Sequence, residues 1–212
     1  MAYPKWEAPS VPGGEDLPMI EPDMPTFMGQ THVTTPGGLE GADVVIIGST
    51  YVATASDIYL GMDKTEWSSA AKRVRQQSAR NRSGYLQEFD LELFEHLKMV
   101  DFGDAELPPE LQDGLTADVI LKAQQAVETK VKQALDIGAI AIVLGNNSPC
   151  SSYAVAKPIA DRTKGNVGVI SIDTHWDIGE IDRLTMDPRI AGASNWKAKM
   201  YEVHQNMHQK NL

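Results

Sequence analysis

The chain has 212 residues, 42% apolar and 23% charged, enough for one large domain or two small ones with a full core. Its formal net charge of −10 excludes free electrostatic attraction to nucleic acid or to an anionic membrane. One cysteine cannot build a disulfide framework, the amino terminus has no basic-then-apolar leader pattern, and no apolar run is long enough to span a bilayer, so the expected location is cytoplasmic.

Residues 1–40 are rich in Pro and Gly and carry no sustained period, which predicts an irregular N-terminal arm ahead of an α/β domain over 41–212. The arm's Trp6, Met19, Ile20, Met24, Phe27 and Met28 need an apolar surface, either on their own domain or on a neighbouring subunit. ADVVIIGS (42–49) predicts a buried strand. SSAAKRVRQQSARN (68–81) predicts a helix with a Ser cap, and its basic cluster, Lys72, Arg73 and Arg75 with Arg80 and Arg82, reads as a solvated face. KMVDFGDAEL (98–107) predicts a second strand. ADVILKAQQAVETKVKQALDIG (117–138), with apolar residues at 119, 120, 121, 127, 131, 134 and 135 and a terminal Gly138, predicts the clearest helix. AIAIVLG (139–145) is a third strand, SYAVAKPIADRT (152–163) a helix kinked or started by Pro158, and NVGVISID (166–173) a fourth strand. NWKAKMYEVHQNM (195–207) predicts a last helix.

Strands that are continuous apolar runs and alternate with helices specify an α/β fold: three layers, a mostly parallel sheet with helices on both faces. In such sheets ligands gather beyond the carboxyl ends of the strands. The fourth of these ends, SIDTHWDIGE, carries Asp173, His175 and Asp177 at alternate positions. Alternate side chains of an extended segment point the same way about 7 Å apart, and a curl of the chain brings three of them round one ion. Carboxylate with imidazole suits Mn, Ni, Fe or Zn, and such an ion acidifies bound water. The same residues also read as loop hydrogen-bonding or capping groups.

The run AIAIVLGNNSPCSSYAVAKPIADRTKGNVGVISIDTHWDIGE resembles the ureohydrolases, the arginase and agmatinase family. MPTFMGQ (24–30), the stretch from ADVVIIGS through the helix at 68–81, and VDFGDAEL agree with it, so the resemblance covers nearly the whole chain from about residue 24 onward. The resemblance is also to nickel-dependent guanidine and biguanide hydrolase subunits of the metformin-hydrolysing type. It implies an arginase-like fold and the hydrolysis of a guanidino group to urea and an amine at a two-metal centre, with Mn usual and Ni in some relatives. It makes Asp173, His175 and Asp177 the middle of three ligand motifs.

The other two motifs depart from the pattern. Where the family has G-G-D-H-S, this chain reads Gly145-Asn146-Asn147-Ser148-Pro149-Cys150, so the Asp and His positions fall on Asn147 and Ser148. Cys150 is the one nearby substitute, and a lone Cys is more often core filler. The last motif, with two further aspartates, has no counterpart, and the chain spans roughly the N-terminal two-thirds of the family pattern. The loop at 189–196 has no His for proton transfer; His204 and His208 share only an i, i+4 spacing.

By the resemblance, two late family strands lie between the third and fourth strands. The sheet is then expected to be incomplete on its C-terminal side: either those strands pair directly, or another chain fills the gap, or the sequence is part of something longer. The expected function is a non-catalytic or degenerate subunit of a heteromeric ureohydrolase acting on a guanidine or biguanide. It binds no metal itself, and it associates with a homologous catalytic subunit that holds Ni or Mn, or with copies of itself, but not with nucleic acid or membrane. The alternative is an active Ni or Mn hydrolase with Asp173, His175 and Asp177 completed from outside the chain. A third class is a binding module in which Trp176 stacks on a planar cation.

Overall fold

The structure is a computed structural model that describes residues 6–7, 16–50, 69–112, 116–145, 152–183 and 185–207. Its main sheet contains four parallel strands, β1 (Thr31–His32), β2 (Val44–Ser49), β3 (Met99–Asp104) and β4 (Ile140–Gly145), in the order β1-β3-β2-β4. The α-helices are α1 (Ala70–Ser78), α2 (Ala117–Asp136), α3 (Ser152–Arg162) and α4 (Trp196–Val203). Val45, Ile47, Val100 and Phe102 turn to one face of the sheet, against Ile120, Val127 and Val131 of α2. Val44, Ile46 and Met99 turn to the other, against Phe27, Phe94 and Leu97. This is the expected three-layer α/β arrangement, because strands buried on both faces must be apolar throughout.

The best-formed helix has the clearest local signals. Thr116 caps α2 by accepting a hydrogen bond from Val119 N at 3.3 Å. Gly138, at φ +82°, turns the chain out of the helix, and Ala139 N donates back to Ala134 O. The Ser cap expected for α1 does not form: Ser69 sits in a helical conformation and its side chain makes no cap bond. The described part of the N-terminal segment packs on the domain. Met24 and Leu39 are buried, and Thr31–His32 joins the sheet as its outer strand beside β3.

Arg75, expected on a solvated face, is fully buried and is the centre of a charged network. Its Nε and Nη2 donate to Asp101 Oδ2 and Oδ1 at 2.8 and 3.0 Å, and its Nη1 donates to Asp104. Asp101 also accepts from the backbone N of Phe27 at 2.8 Å and of Gly103 at 3.0 Å. Five donors and two carboxylates satisfy one another, which makes burial of these charges tolerable. Gly48 of β2 is required by the same cluster, since a Cβ there would stand 1.7 Å from Asp104 Oδ1.

The fourth predicted strand is the main correction. Residues 166–172 form no regular element and pair with no strand among the described residues, and Ile170 and Ile172 are 96% and 100% exposed. Among the described residues β4 has β2 as its one sheet neighbour. Its composition matches that of β2, yet Ile140 and Ile142 are exposed where β2 is buried throughout. Both segments have strand-like sequences, but among the described residues no strand pairs with residues 166–172 or with the second edge of β4. Among the described residues no helix is long and apolar enough to cross a membrane.

The chain after residue 180 is tied down by side-chain turns. Asp182 accepts from Thr185 N and Oγ1 at 2.7 and 2.8 Å. Arg189 donates from Nε and Nη2 to Asp187 and from Nη1 to Asp118, in the first turn of α2, at 2.8 Å.

Two predictions follow from these contacts. Arg75→Met leaves Asp101 buried without its counter-charge and should cost about 3–5 kcal/mol, read from urea unfolding. The Arg189 guanidinium and backbone N–H hold the Asp187 carboxyl down from 3.8 to about 2. A depressed carboxylate pKa stabilises the fold above its unfolded value, and that contribution is lost as pH falls through the folded one. This tether should therefore be constant from pH 5 to pH 8 and released between about pH 4 and pH 2, with a carboxyl resonance of Asp187 titrating at about 2 by NMR.

Candidate functional site

Asp173, His175 and Asp177 follow residues 166–172 and lie at the carboxyl end of that stretch, where an α/β fold places ligands. Asp173 begins a tight bend: its Oδ1 accepts from the backbone N of His175 at 2.9 Å and lies 3.3 Å from His175 Nδ1. The backbone hydrogen bond, opposed by slight burial and aided by the imidazole, holds the Asp173 carboxyl below the usual carboxylate range. It is ionised at neutral pH. The His175 ring points to solvent, its side chain 78% exposed.

Asp177 goes elsewhere. It adopts a left-handed conformation, φ +52°, and its side chain turns into the protein. There its Oδ2 accepts from the indole Nε1–H of Trp196 at 3.1 Å, and its carbonyl accepts from Lys197 N at 3.2 Å. The carboxylate thus sits over the first turn of α4, where the free N–H groups and the helix dipole favour negative charge. The i, i+2, i+4 spacing would align the three groups only in extended backbone, and the turn at Asp177 breaks that alignment.

A cleft of about 460 Å³ opens beside the bend, lined by Ser171, Asp173, Thr174, His175, Trp176 and Lys197, with Val169 and Ile170 behind. Lys197 was not singled out by the sequence, nor was Trp196 as a partner of Asp177. Lys197 is nearly buried, and its Nζ donates to Ser171 Oγ at 3.1 Å. Its ammonium faces the same cleft as Asp173 and His175 and opposes entry of a divalent cation. Nothing local marks either residue: they begin a helix nineteen or more residues after the triad and reach it only through the fold. Trp176 is 75% exposed, so it is a surface aromatic, free to stack.

The donor set described does not fit a two-metal centre. One of the three expected ligands is engaged by an indole, and the other two face each other. Among the described residues no group of three His, Cys, Asp or Glu side chains is placed to hold a metal ion. Asn147, Ser148, Cys150 and His208 lie outside the described residues. His204 is buried just beyond α4, with Nδ1 3.4 Å from Asp161 Oδ1, and it takes no part in the cleft.

Similarity to known proteins supports the fold independently. No curated protein matches this chain in sequence. An arginase superfamily protein from Trypanosoma cruzi superposes with a TM-score of 0.57 at 21% identity, over 89% of this chain and 56% of its own. A formiminoglutamase from the same organism, whose structure contains Mn2+, matches to the same extent, with a TM-score of 0.57 at 21% identity. A hypothetical agmatinase from Burkholderia thailandensis matches with a TM-score of 0.58 at 18% identity, over 84% of this chain and 49% of its own. The chain therefore spans about half the length of the solved structures it matches. The family model for arginases matches residues 42–204, well over half of the chain, and with the α/β sheet and strand-end site already in place, the chain belongs to the arginase family.

Proposed function

We propose that this chain is a subunit of a metal-dependent ureohydrolase that cleaves a guanidine or biguanide to urea and an amine, and that it does not complete a metal centre itself. The observation that carries this reading is the capture of Asp177 by Trp196 Nε1 at 3.1 Å, which takes one of three family ligand positions out of the cleft. The ammonium of Lys197 in the same cleft supports it. A dinuclear site must hold both ions to orient and acidify the attacking water, so a chain that offers two donors contributes by shaping or stabilising a partner that holds the Ni or Mn. The partner is a homologous catalytic subunit, and the complex works in the cytoplasm.

A second reading has one observation in its favour. Asp173 and His175 are adjacent, exposed and open to a cleft large enough for a small cation such as a guanidinium, with Trp176 beside them. In that case Asp173 and His175 would hold the metal, with ligands completed from residues outside those described, and the ion would supply acidification of water for hydrolysis of the guanidinium.

Elemental analysis of the purified chain, separated from any co-purifying partner, distinguishes the two. The subunit reading expects no stoichiometric Ni or Mn on this chain, and activity of the complex within about twofold of wild type for Asp173→Ala, a change of less than about 0.5 kcal/mol. One or two ions per chain, lost together with activity in Asp173→Ala, would overturn it. Trp196→Phe removes the indole donor and leaves the Asp177 carboxylate unpaired, at an expected cost of about 1–3 kcal/mol in unfolding free energy with metal content unchanged. A gain of bound Mn in that variant would mean that Trp196 only masks a working ligand.

A further inference from the structure

Lys197 is 4% exposed and carries a charge that the described residues do not neutralise. Its Nζ donates to Ser171 Oγ at 3.1 Å and stands 5.4 Å from the centre of the Trp196 ring. Among the described residues no carboxylate forms an ion pair with it, whereas the more exposed Lys72, Lys157 and Lys199 are each paired with an Asp or Glu. Lysine is rarely buried unless paired, because an ammonium taken out of water without a counter-charge is costly, and a hydroxyl and a ring face offset only part of that cost. The group is not sealed in the core. It lines the cleft of about 460 Å³ with Ser171, Thr174 and His175, while Val169, Ile170 and Trp176 supply apolar surface. Mostly apolar walls with a few placed polar groups, in a volume of this size, are what a small-molecule site requires. Asp173 lines the same cleft, but its carboxylate is taken up by the backbone N of His175 at 2.9 Å and the ring Nδ1 at 3.3 Å, not by Lys197.

We propose that this cleft binds a small aromatic monocarboxylate, with its carboxylate on Lys197 Nζ and Ser171 Oγ and its ring against Trp176. The ligand supplies the negative charge that Lys197 lacks. Ser171 Oγ already accepts from the ammonium, so its own proton is left to donate, and the two groups together offer charge-assisted and neutral hydrogen bonds to the two carboxylate oxygens. The apolar walls and the exposed indole of Trp176 favour a planar ring over a second polar group. Asp173 sets the total charge. Its ionised carboxylate in the same cleft repels a second negative charge on the ligand, which favours a monoanion over a dianion such as phosphate. A free guanidinium fits less well, because it would have to enter beside the Lys197 ammonium. The assignment concerns what the cleft holds and does not depend on where the metal of a ureohydrolase sits.

The test is isothermal titration calorimetry on the intact protein, together with any partner that purifies with it, using benzoate, benzamide, benzamidine and inorganic phosphate. Benzamide has the ring without the charge, benzamidine has the opposite charge, and phosphate has the charge without the ring. The expected result is one benzoate per chain, bound at least about tenfold more tightly than any of the other three. Lys197→Met keeps the apolar stem and removes the ammonium; it should weaken benzoate at least about tenfold and leave benzamide within about twofold. Trp176→Ala changes an exposed side chain, so the fold is not at stake, and it should weaken benzoate and benzamide alike by about threefold or more. Equal affinity for benzoate and benzamide, tighter binding of benzamidine or phosphate, benzoate binding that survives Lys197→Met, or no benzoate binding at all would each overturn the proposal. Should Lys197→Met fail to fold by circular dichroism, Trp176→Ala decides the matter, and benzoate binding unchanged in that variant would overturn it. Metal content, which tests the subunit reading, is measured separately, so either idea can fail while the other stands.

Discussion

The pair of Arg75 and Asp101 is the contact on which the described fold most depends. It joins α1 to β3 through two hydrogen bonds, and the same carboxylate receives the backbone of Phe27. Three segments distant in sequence therefore meet at one fully buried ion pair. Such a pair adds little net stability against an apolar alternative, but loss of one member leaves a bare charge in the core. It fixes where the N-terminal segment crosses the sheet and so sets Thr31–His32 beside β3.

The opposite side of the sheet is set by the reverse condition. β3 and β2 are paired on both edges, and on this side the sheet stops at β4. The crossover through α3 still returns the chain to the level of the sheet. The apolar cluster of Ala160, Trp196 and Met200 holds Val167 and Val169 in place without a ladder. Packing covers one face of residues 166–172 and leaves Ile170 and Ile172 in solvent, so the same stretch offers both order and an open surface.

The state of the candidate site follows from that half-packed stretch. In a fully paired strand the alternation of Asp173, His175 and Asp177 would be held by neighbours on both sides. Here the chain bends as soon as the packed valines end, Asp173 folds onto the backbone of His175, and Asp177 turns inward to the indole of Trp196.

The strands at 44–49, 99–104 and 140–145, the long helix with its Gly138 stop, and the parallel three-layer class were legible in the sequence. Each is encoded by local periodicity and by residues adjacent to the element. The family was legible too, through the D-x-H-x-D run and its flanks. The sequence could not show that Arg75 is buried, since a basic residue in an amphipathic helix looks alike whether it meets water or two aspartates from another strand. Nor could it show that 166–173 lacks a ladder, or that Asp177 serves Trp196 and not an ion. Strand pairing and ligand convergence are properties of neighbours brought together by the fold, and no single segment carries them.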